Sequence, residues 1–188
     1  KLVYGGLTKV FAGIVIAPIG GLIFGLLLTG LIITVFASRR PSIVNKTFGR
    51  LQIISSGWFA LTHGANDGQK TMGIIVLILV STGFMDEFEM PLWVIFAAAG
   101  AMGLGTFFGG YKVIKTLGVK VARLRPYQGF AAETGGGLML AIFATLGIPA
   151  STTHAITGTI MGSAAARRKR AVRWKVGRQI VFAWVITI

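Results

Sequence analysis

The chain contains no cysteine and few charged residues, and both shortages limit what it can be. Charged residues make up 13% of its 188 residues, and only 5 are acidic. The lack of cysteine excludes disulfides, thiolate metal sites and a cysteine nucleophile. The sequence also lacks zinc-ligand spacing, a nucleophile elbow, a Walker-type phosphate loop and a dinucleotide fingerprint. We therefore predict that it is not an enzyme and holds no cofactor or resident metal.

Apolar residues are what the chain has in abundance. They account for 54% of it, and the mean hydropathy is +0.76. Soluble domains carry about a quarter charged residues. The composition therefore predicts an all-α, polytopic transmembrane protein in contact with lipids, with residues 1–188 as one transmembrane domain. The formal charge is +14, but the basic residues sit in short segments between apolar spans. We expect no nucleic-acid partner.

The charged segments alternate in sign along the chain. We predict spans at 10–37, 51–80, 92–108 and 130–148. Basic segments at 38–50, 109–128 and 167–178 should be cytoplasmic, and the acidic loop 81–91 should be external. This requires the chain to go out and back between 129 and 163, where only about thirteen residues remain for the return. A discontinuous or re-entrant helix is therefore predicted there.

A polar cluster at 63–70 interrupts the second span. Its two glycines, Gly64 and Gly68, bracket Asn66 and Asp67, and glycine lets a helix unwind. We predict a broken helix with halves at 51–62 and 71–80. Lys70 follows Asp67 by three residues, where a helix would place it alongside. The alternative is an Asn/Asp cap on the second half-helix, with the Asp67–Lys70 pair merely neutralising itself.

A second cluster follows Pro149, a residue that suits a helix start. Ser151, Thr152 and Thr153 should then lie at the N-terminus of a half-helix that continues to about residue 163. Free N–H groups, hydroxyls and the positive end of the helix dipole favour an oxyanion there. The alternative is an ordinary Ser/Thr cap whose hydroxyls bond back to the helix.

Glu133 is the one acidic residue, besides Asp67, outside the external loop. It could pair with Arg123 or Arg125 near the cytoplasmic end of its span. The functional alternative is a coupling-ion or proton site shared with Asp67.

The two histidines and a glycine pair have simpler interpretations. His63 and His154 could be metal ligands or proton carriers, but a hydrogen-bonded structural role is favoured beside helix breaks. Gly158 and Gly162 form a small-xxx-small pair, which predicts tight helix packing.

At these residues the chain resembles the inorganic phosphate transporter (PiT) family, specifically the C-terminal half of a bacterial member. Three motifs carry the resemblance in order: His63 to Gly73, Glu133 to Gly137, and Gly147 to Gly162. The similarity extends from about Leu51 to Lys175.

The resemblance implies a secondary transporter of two inverted-topology halves, each supplying an Asn-Asp and a Ser-Thr-Thr motif to one phosphate site. Asn66, Ser151, Thr152 and Thr153 would bind phosphate. Asp67 and Glu133 would couple transport to a cation or proton, with Asp67 a possible sodium ligand.

Hydroxyls and a helix N-terminus suit an oxyanion, whereas nearby carboxylates repel it unless a cation or proton intervenes. We therefore expect import of inorganic phosphate across a bacterial cytoplasmic (inner) membrane in symport with protons or sodium. The alternatives are sulfate transport and a membrane subunit that binds an anion without moving it. An intramembrane hydrolase using His and Asp is disfavoured because no motif positions a nucleophile.

The family's first half is missing from these residues. The chain begins at Lys1 rather than Met and stops within the apolar run 181–188. We expect a segment of a longer protein, truncated at both ends, whose N-terminal half or a second subunit completes the site.

Overall fold

The computed structural model describes residues 4–187, which form six α-helices and two short helical turns. The helices are α1 (Tyr4–Val35), α2 (Pro41–Ser81), α3 (Leu92–Lys115), α4 (Pro126–Thr145), α5 (Thr152–Ala165) and α6 (Trp174–Thr187). A π-helical turn (Thr116–Val121) follows α3, and a 3₁₀ turn (Lys169–Ala171) precedes α6. The predicted all-α fold is confirmed.

Two helical stretches, Thr8–Val35 and Leu92–Val121, are long and apolar enough to cross a bilayer. Their 28 and 30 residues exceed the about 20 needed to cross a hydrocarbon core of about 30 Å. Only a small share of each stretch is buried inside the bundle that residues 4–187 form. On α3, Phe107 and Phe108 are 81% and 80% exposed. An exposed apolar surface of this kind is suited to contact with lipid.

Helices α4 and α5 form an antiparallel hairpin that packs between α1 and α2. At its base, Gln128 Nε2 donates to the carbonyl oxygen of Ser163 at 2.8 Å. The 14 residues of α5 extend only about 21 Å, less than a bilayer core. The predicted discontinuous, out-and-back path is confirmed, although α4 begins four residues before the predicted span at 130.

The hairpin turns because α4 ends in a Schellman motif. Gly147 has φ +61°, which favours glycine. The N–H of Ile148 donates to Phe143 O at 2.9 Å, and that of Gly147 to Ala144 O at 3.2 Å. Pro149 follows, where the chain cannot continue as a helix. Residues 146–151 therefore form a non-helical connection, which we call the hairpin tip.

Glycines bring α1 and α5 into backbone contact. A Cβ on Gly21 or Gly25 of α1 would meet the backbone of α5, and one on Gly158 or Gly162 would meet the backbone of α1. The packing predicted for the Gly158–Gly162 pair is confirmed.

The prediction that the cluster at 63–70 breaks a helix is wrong. Helix α2 runs unbroken from Pro41 to Ser81. Two glycines cost a helix about 1 kcal/mol each, which does not outweigh hydrogen bonds that the helix backbone makes internally. An unbroken helix also puts His63, Asp67 and Lys70 on one face, where Asp67 contacts the other two and Lys70 reaches Ala150 O of the hairpin tip.

Two of the basic segments predicted as loops are largely helical. Pro41 occupies the first helical position of α2, so Lys46 and Arg50 lie within that helix. Helix α3 continues to Lys115 and then into the π-helical turn, which adds residues 116–121 to the helical part.

The basic segments nevertheless share one end of the bundle. The Phe48 ring contacts the rings of Phe36 and Phe130, with centroids 5.3 and 5.2 Å apart. An isolated antiparallel bridge joins Ala122 to Val172 and so links the second and third basic segments. The acidic loop lies at the far end of the 41-residue α2. This arrangement fits the predicted alternation of sides.

Labelling of single-cysteine variants in intact cells tests the sidedness, and residues 1–188 contain no cysteine that would interfere. We expect Lys120→Cys and Lys169→Cys to be protected from a membrane-impermeant maleimide, and Glu87→Cys to react. The reason is that basic segments are retained in the cytoplasm. If one of positions 120 and 169 reacted and the other were protected, the two would lie on opposite faces of the membrane, which would contradict the topology.

Candidate functional site

The hairpin tip meets α2 at the polar cluster, and Asp67 is the centre of the contact. Its Oδ2 accepts from Thr152 Oγ1 at 3.0 Å and lies 3.1 Å from His63 Nε2. Its Oδ1 lies 3.2 Å from Lys70 Nζ. The predicted Asp67–Lys70 pair is therefore present. One carboxylate links three side chains from two helices.

A backbone carbonyl in the tip forms the second contact. Ala150 O accepts from Lys70 Nζ at 2.7 Å and from Asn66 Nδ2 at 3.2 Å. Because Ala150 precedes the first helical residue of α5, its carbonyl is available to partners outside that helix. Asn66 and Lys70 thus fasten the non-helical tip to the side of α2.

Ser151 is the N-cap of α5. Its Oγ accepts from the N–H of His154 at 3.4 Å, so the capping interpretation of this residue is confirmed. The N–H groups of the first helical turn, including Thr152 and Thr153, have no acceptor within the helix. They give this end of α5 the partial positive charge of a helix N-terminus. The Ser151 cap therefore does not exclude an anion at the remaining first-turn N–H groups.

A cavity of about 350 Å³ lies between the tip, α2 and α1. A water molecule occupies about 30 Å³ in the liquid, so the cavity has room for a tetrahedral oxyanion together with several water molecules. The lining residues are Val10, Ile14, Asp67, Lys70, Pro149, Ala150, Ser151, Thr152 and Thr153. Val10 and Ile14 form an apolar wall from α1, Pro149 adds an apolar ring, and the remaining residues bring charge, hydroxyls and N–H groups.

Glu133 lies elsewhere. Its Oε2 accepts from Ser55 Oγ at 2.6 Å, and its Oε1 accepts from Gln52 Nε2 at 3.2 Å. The predicted alternative of an ion pair with Arg123 or Arg125 is wrong. Twelve residues of α2 separate Ser55 from Asp67, or about 18 Å, so the two carboxylates do not share one site.

The two histidines have different surroundings. His63 contacts Asp67 from the preceding turn of α2, as a hydrogen-bonded fixture would. His154 is buried against Trp184 of α6, with ring centroids 3.9 Å apart, and is not among the cavity-lining residues.

The structure thus brings together five of the six predicted site residues and separates Glu133 from them. Several contributors were missed: the Ala150 carbonyl, the α1 wall, and the Gln52 and Ser55 donors to Glu133. Gln52 and Ser55 stand three apart on an apolar helix, a spacing that marks a shared polar face. That signal was available in the sequence.

Comparison with known proteins gives consistent matches. The model of the Phosphate transporter family matches residues 36–188. A "Probable low-affinity inorganic phosphate transporter" of Rhizobium meliloti (strain 1021) is 47% identical over 189 residues, covering 100% of this chain and 57% of the relative. A protein of the same description from Bacillus subtilis (strain 168) is 36% identical, with 98% and 56% covered.

A solved structure described as "The sodium-dependent phosphate transporter" has a similar fold. Its TM-score is 0.67 at 23% identity, and the match covers 95% of this chain and 56% of that one. The chain spans about half the length of the curated relatives it matches.

Proposed function

Because this chain belongs to the phosphate transporter family, and so to a family of membrane proteins, we propose that it forms one half of a secondary transporter for inorganic phosphate. Transport would be import across a bacterial cytoplasmic membrane, in symport with protons or sodium. One observation carries the proposal: a helix N-terminus and its hydroxyls line a cavity beside a carboxylate paired with an ammonium group.

The phosphate oxygens would bind at the start of α5. Ser151 and Thr153 offer hydroxyls, and Thr152 offers its N–H, since its hydroxyl donates to Asp67. Backbone N–H groups at a helix N-terminus are well suited to phosphate. Asn66 would contribute its amide when the contact to Ala150 O is exchanged for one to the ligand.

The carboxylates of Asp67 and Glu133 would couple phosphate transport to a cation or proton at two different depths in the membrane. Asp67 touches the cavity, where an arriving anion adds negative charge that a cation or proton must balance. Glu133 is held by a hydroxyl and an amide, both neutral donors. A carboxylate at membrane depth with neutral partners is costly, which favours a role in carrying a proton.

The direct test is uptake of radiolabelled phosphate by proteoliposomes that contain the complete native protein. We expect Ser151→Ala/Thr152→Ala to lower uptake by about tenfold or more, because hydroxyls that contact the anion or hold Asp67 are removed. The matched control is Ser81→Ala/Thr82→Ala, which removes two hydroxyls that bond back to their own helix at the far end of α2.

The same assay separates the alternatives. Excess sulfate should leave phosphate uptake unchanged if the site selects phosphate, and should abolish it if the site prefers sulfate. Counterflow of labelled phosphate distinguishes a carrier from a subunit that only binds. If Ser81→Ala/Thr82→Ala lowered phosphate uptake as much as Ser151→Ala/Thr152→Ala, the assignment of Ser151 and Thr152 to the phosphate site would be wrong.

A further inference from the structure

The ammonium of Lys70 occupies a distinctive position. It lies 3.2 Å from a carboxylate oxygen of Asp67 and 2.7 Å from the backbone carbonyl of Ala150. It also lines the cavity, and its side chain is 43% exposed. The charge is therefore at the meeting point of α2, the hairpin tip and the cavity.

The oxygen atoms around this ammonium are of the kind that bind a monovalent metal cation. Transporters with discontinuous helices hold sodium with backbone carbonyls of non-helical segments, often beside a carboxylate. Ala150 O is such a carbonyl, and Asp67 Oδ1 is such a carboxylate oxygen. A lysine ammonium is a compact point charge with three donors, so it can occupy the position of a small cation.

A sodium ion and the ammonium cannot occupy this position together. Both need the same two oxygen atoms, and two positive charges at contact distance repel strongly.

We propose that the Lys70 ammonium is a tethered cation that fills the site formed by Asp67 and Ala150, so that sodium does not bind there. Lys70 then sets ion specificity: coupling at this half of the transporter does not pass through sodium at Asp67. The statement about coupling rests on the proposed transport function. The statement that sodium does not bind between Asp67 and Ala150 does not depend on it.

The test uses the complete native protein and the variant Lys70→Ala, which vacates the site and leaves the oxygen atoms. Thermal unfolding in detergent is measured in sodium chloride and in choline chloride at equal ionic strength. We expect sodium to raise the melting temperature of Lys70→Ala by about 3 °C or more beyond any rise in the wild type, whose Asp67 site Lys70 already fills. Lys120→Ala, at the exposed basic end, is the control for loss of a lysine and should behave as the wild type.

Phosphate uptake adds a second measurement. Any difference in wild-type uptake between sodium and choline should arise outside the Asp67 site, because Lys70 already fills that site. Uptake by Lys70→Ala should fall about tenfold in choline and recover in sodium. If Lys70→Ala does not fold, Lys70→Met keeps the length of the side chain and removes its charge.

The outcomes are distinguishable. Stabilisation of the wild type by sodium equal to that of Lys70→Ala overturns the proposal, and so does a Lys70→Ala variant that is indifferent to sodium. A wild type that moves no phosphate in either salt argues against the proposed function alone, because the melting temperatures still decide whether Lys70 excludes sodium.

Discussion

Asp67→Asn is expected to lower phosphate uptake by about tenfold to a hundredfold. The carboxylate accepts from Thr152, His63 and Lys70 at 3.0 to 3.2 Å. An asparagine side chain keeps the volume but offers one acceptor oxygen and no charge. The lysine ammonium is then left without its counter-charge at the edge of the cavity, and no carboxylate remains to balance a coupling cation. Uptake by proteoliposomes measures the effect.

Asp86→Asn is the matched control, since it removes one carboxylate from the exposed acidic loop. We expect its uptake to equal that of the wild type. The melting temperature of each purified variant shows whether lost uptake reflects lost folding. A folded Asp67→Asn protein with wild-type uptake would contradict any role of this carboxylate in transport.

Gly25→Ala is expected to destabilise the protein by about 1–3 kcal/mol, although it adds only one methyl group. The added Cβ would meet the carbonyl oxygen of Thr159 and would lie 2.9 Å from the N atom of Ser163. Both contacts are backbone atoms of α5, which cannot move aside as a flexible side chain can. Helices α1 and α5 would have to separate. Thermal unfolding of the complete protein in detergent measures the loss.

Gly30→Ala, on the same helix, is expected not to destabilise the protein. A Cβ at Gly30 meets nothing within 4 Å among residues 4–187. Alanine is the better helix former by about 1 kcal/mol, so this variant should be as stable as the wild type or more so. Equal melting temperatures for the two variants would show that the α1–α5 contact is looser than the structure indicates.

Local sequence signals predicted the hairpin well. Pro149 and Ser151 predicted it through a missing N–H and a capping hydroxyl, and Gly147, whose preference for a positive φ was not used, carries a third signal of the same kind. All three act over a few residues, so their meaning does not depend on distant parts of the chain. The same holds for Gly158 and Gly162, whose spacing alone predicts close packing.

The continuity of α2 could not be predicted in this way. Gly64, Asn66 and Gly68 all weaken a helix when considered alone, and they suggested a break. The polar side chains of the intact helix instead find partners outside it, namely Ala150 O of the hairpin tip and the hydroxyl of Thr152 in α5. Those partners lie more than 80 residues away in the sequence.

Glu133 shows the same limitation at a second place. Its nearest basic residues in the sequence, Arg123 and Arg125, suggested an ion pair. The parallel packing of α4 along α2 instead brings Gln52 and Ser55 to it, and separates it from Asp67.

The sequence by itself determined that this chain is an all-α membrane protein of the phosphate transporter family, with a hairpin whose second helix begins after Pro149, near Ser151. Hydropathy, charge alternation and capping preferences are local properties, and a linear sequence displays them directly. Only the tertiary structure decided that Asp67 holds Thr152, that Lys70 reaches Ala150, and that Glu133 has a separate site. These contacts depend on which faces of the helices meet. Helix packing determines that, and it joins residues that are far apart in the sequence.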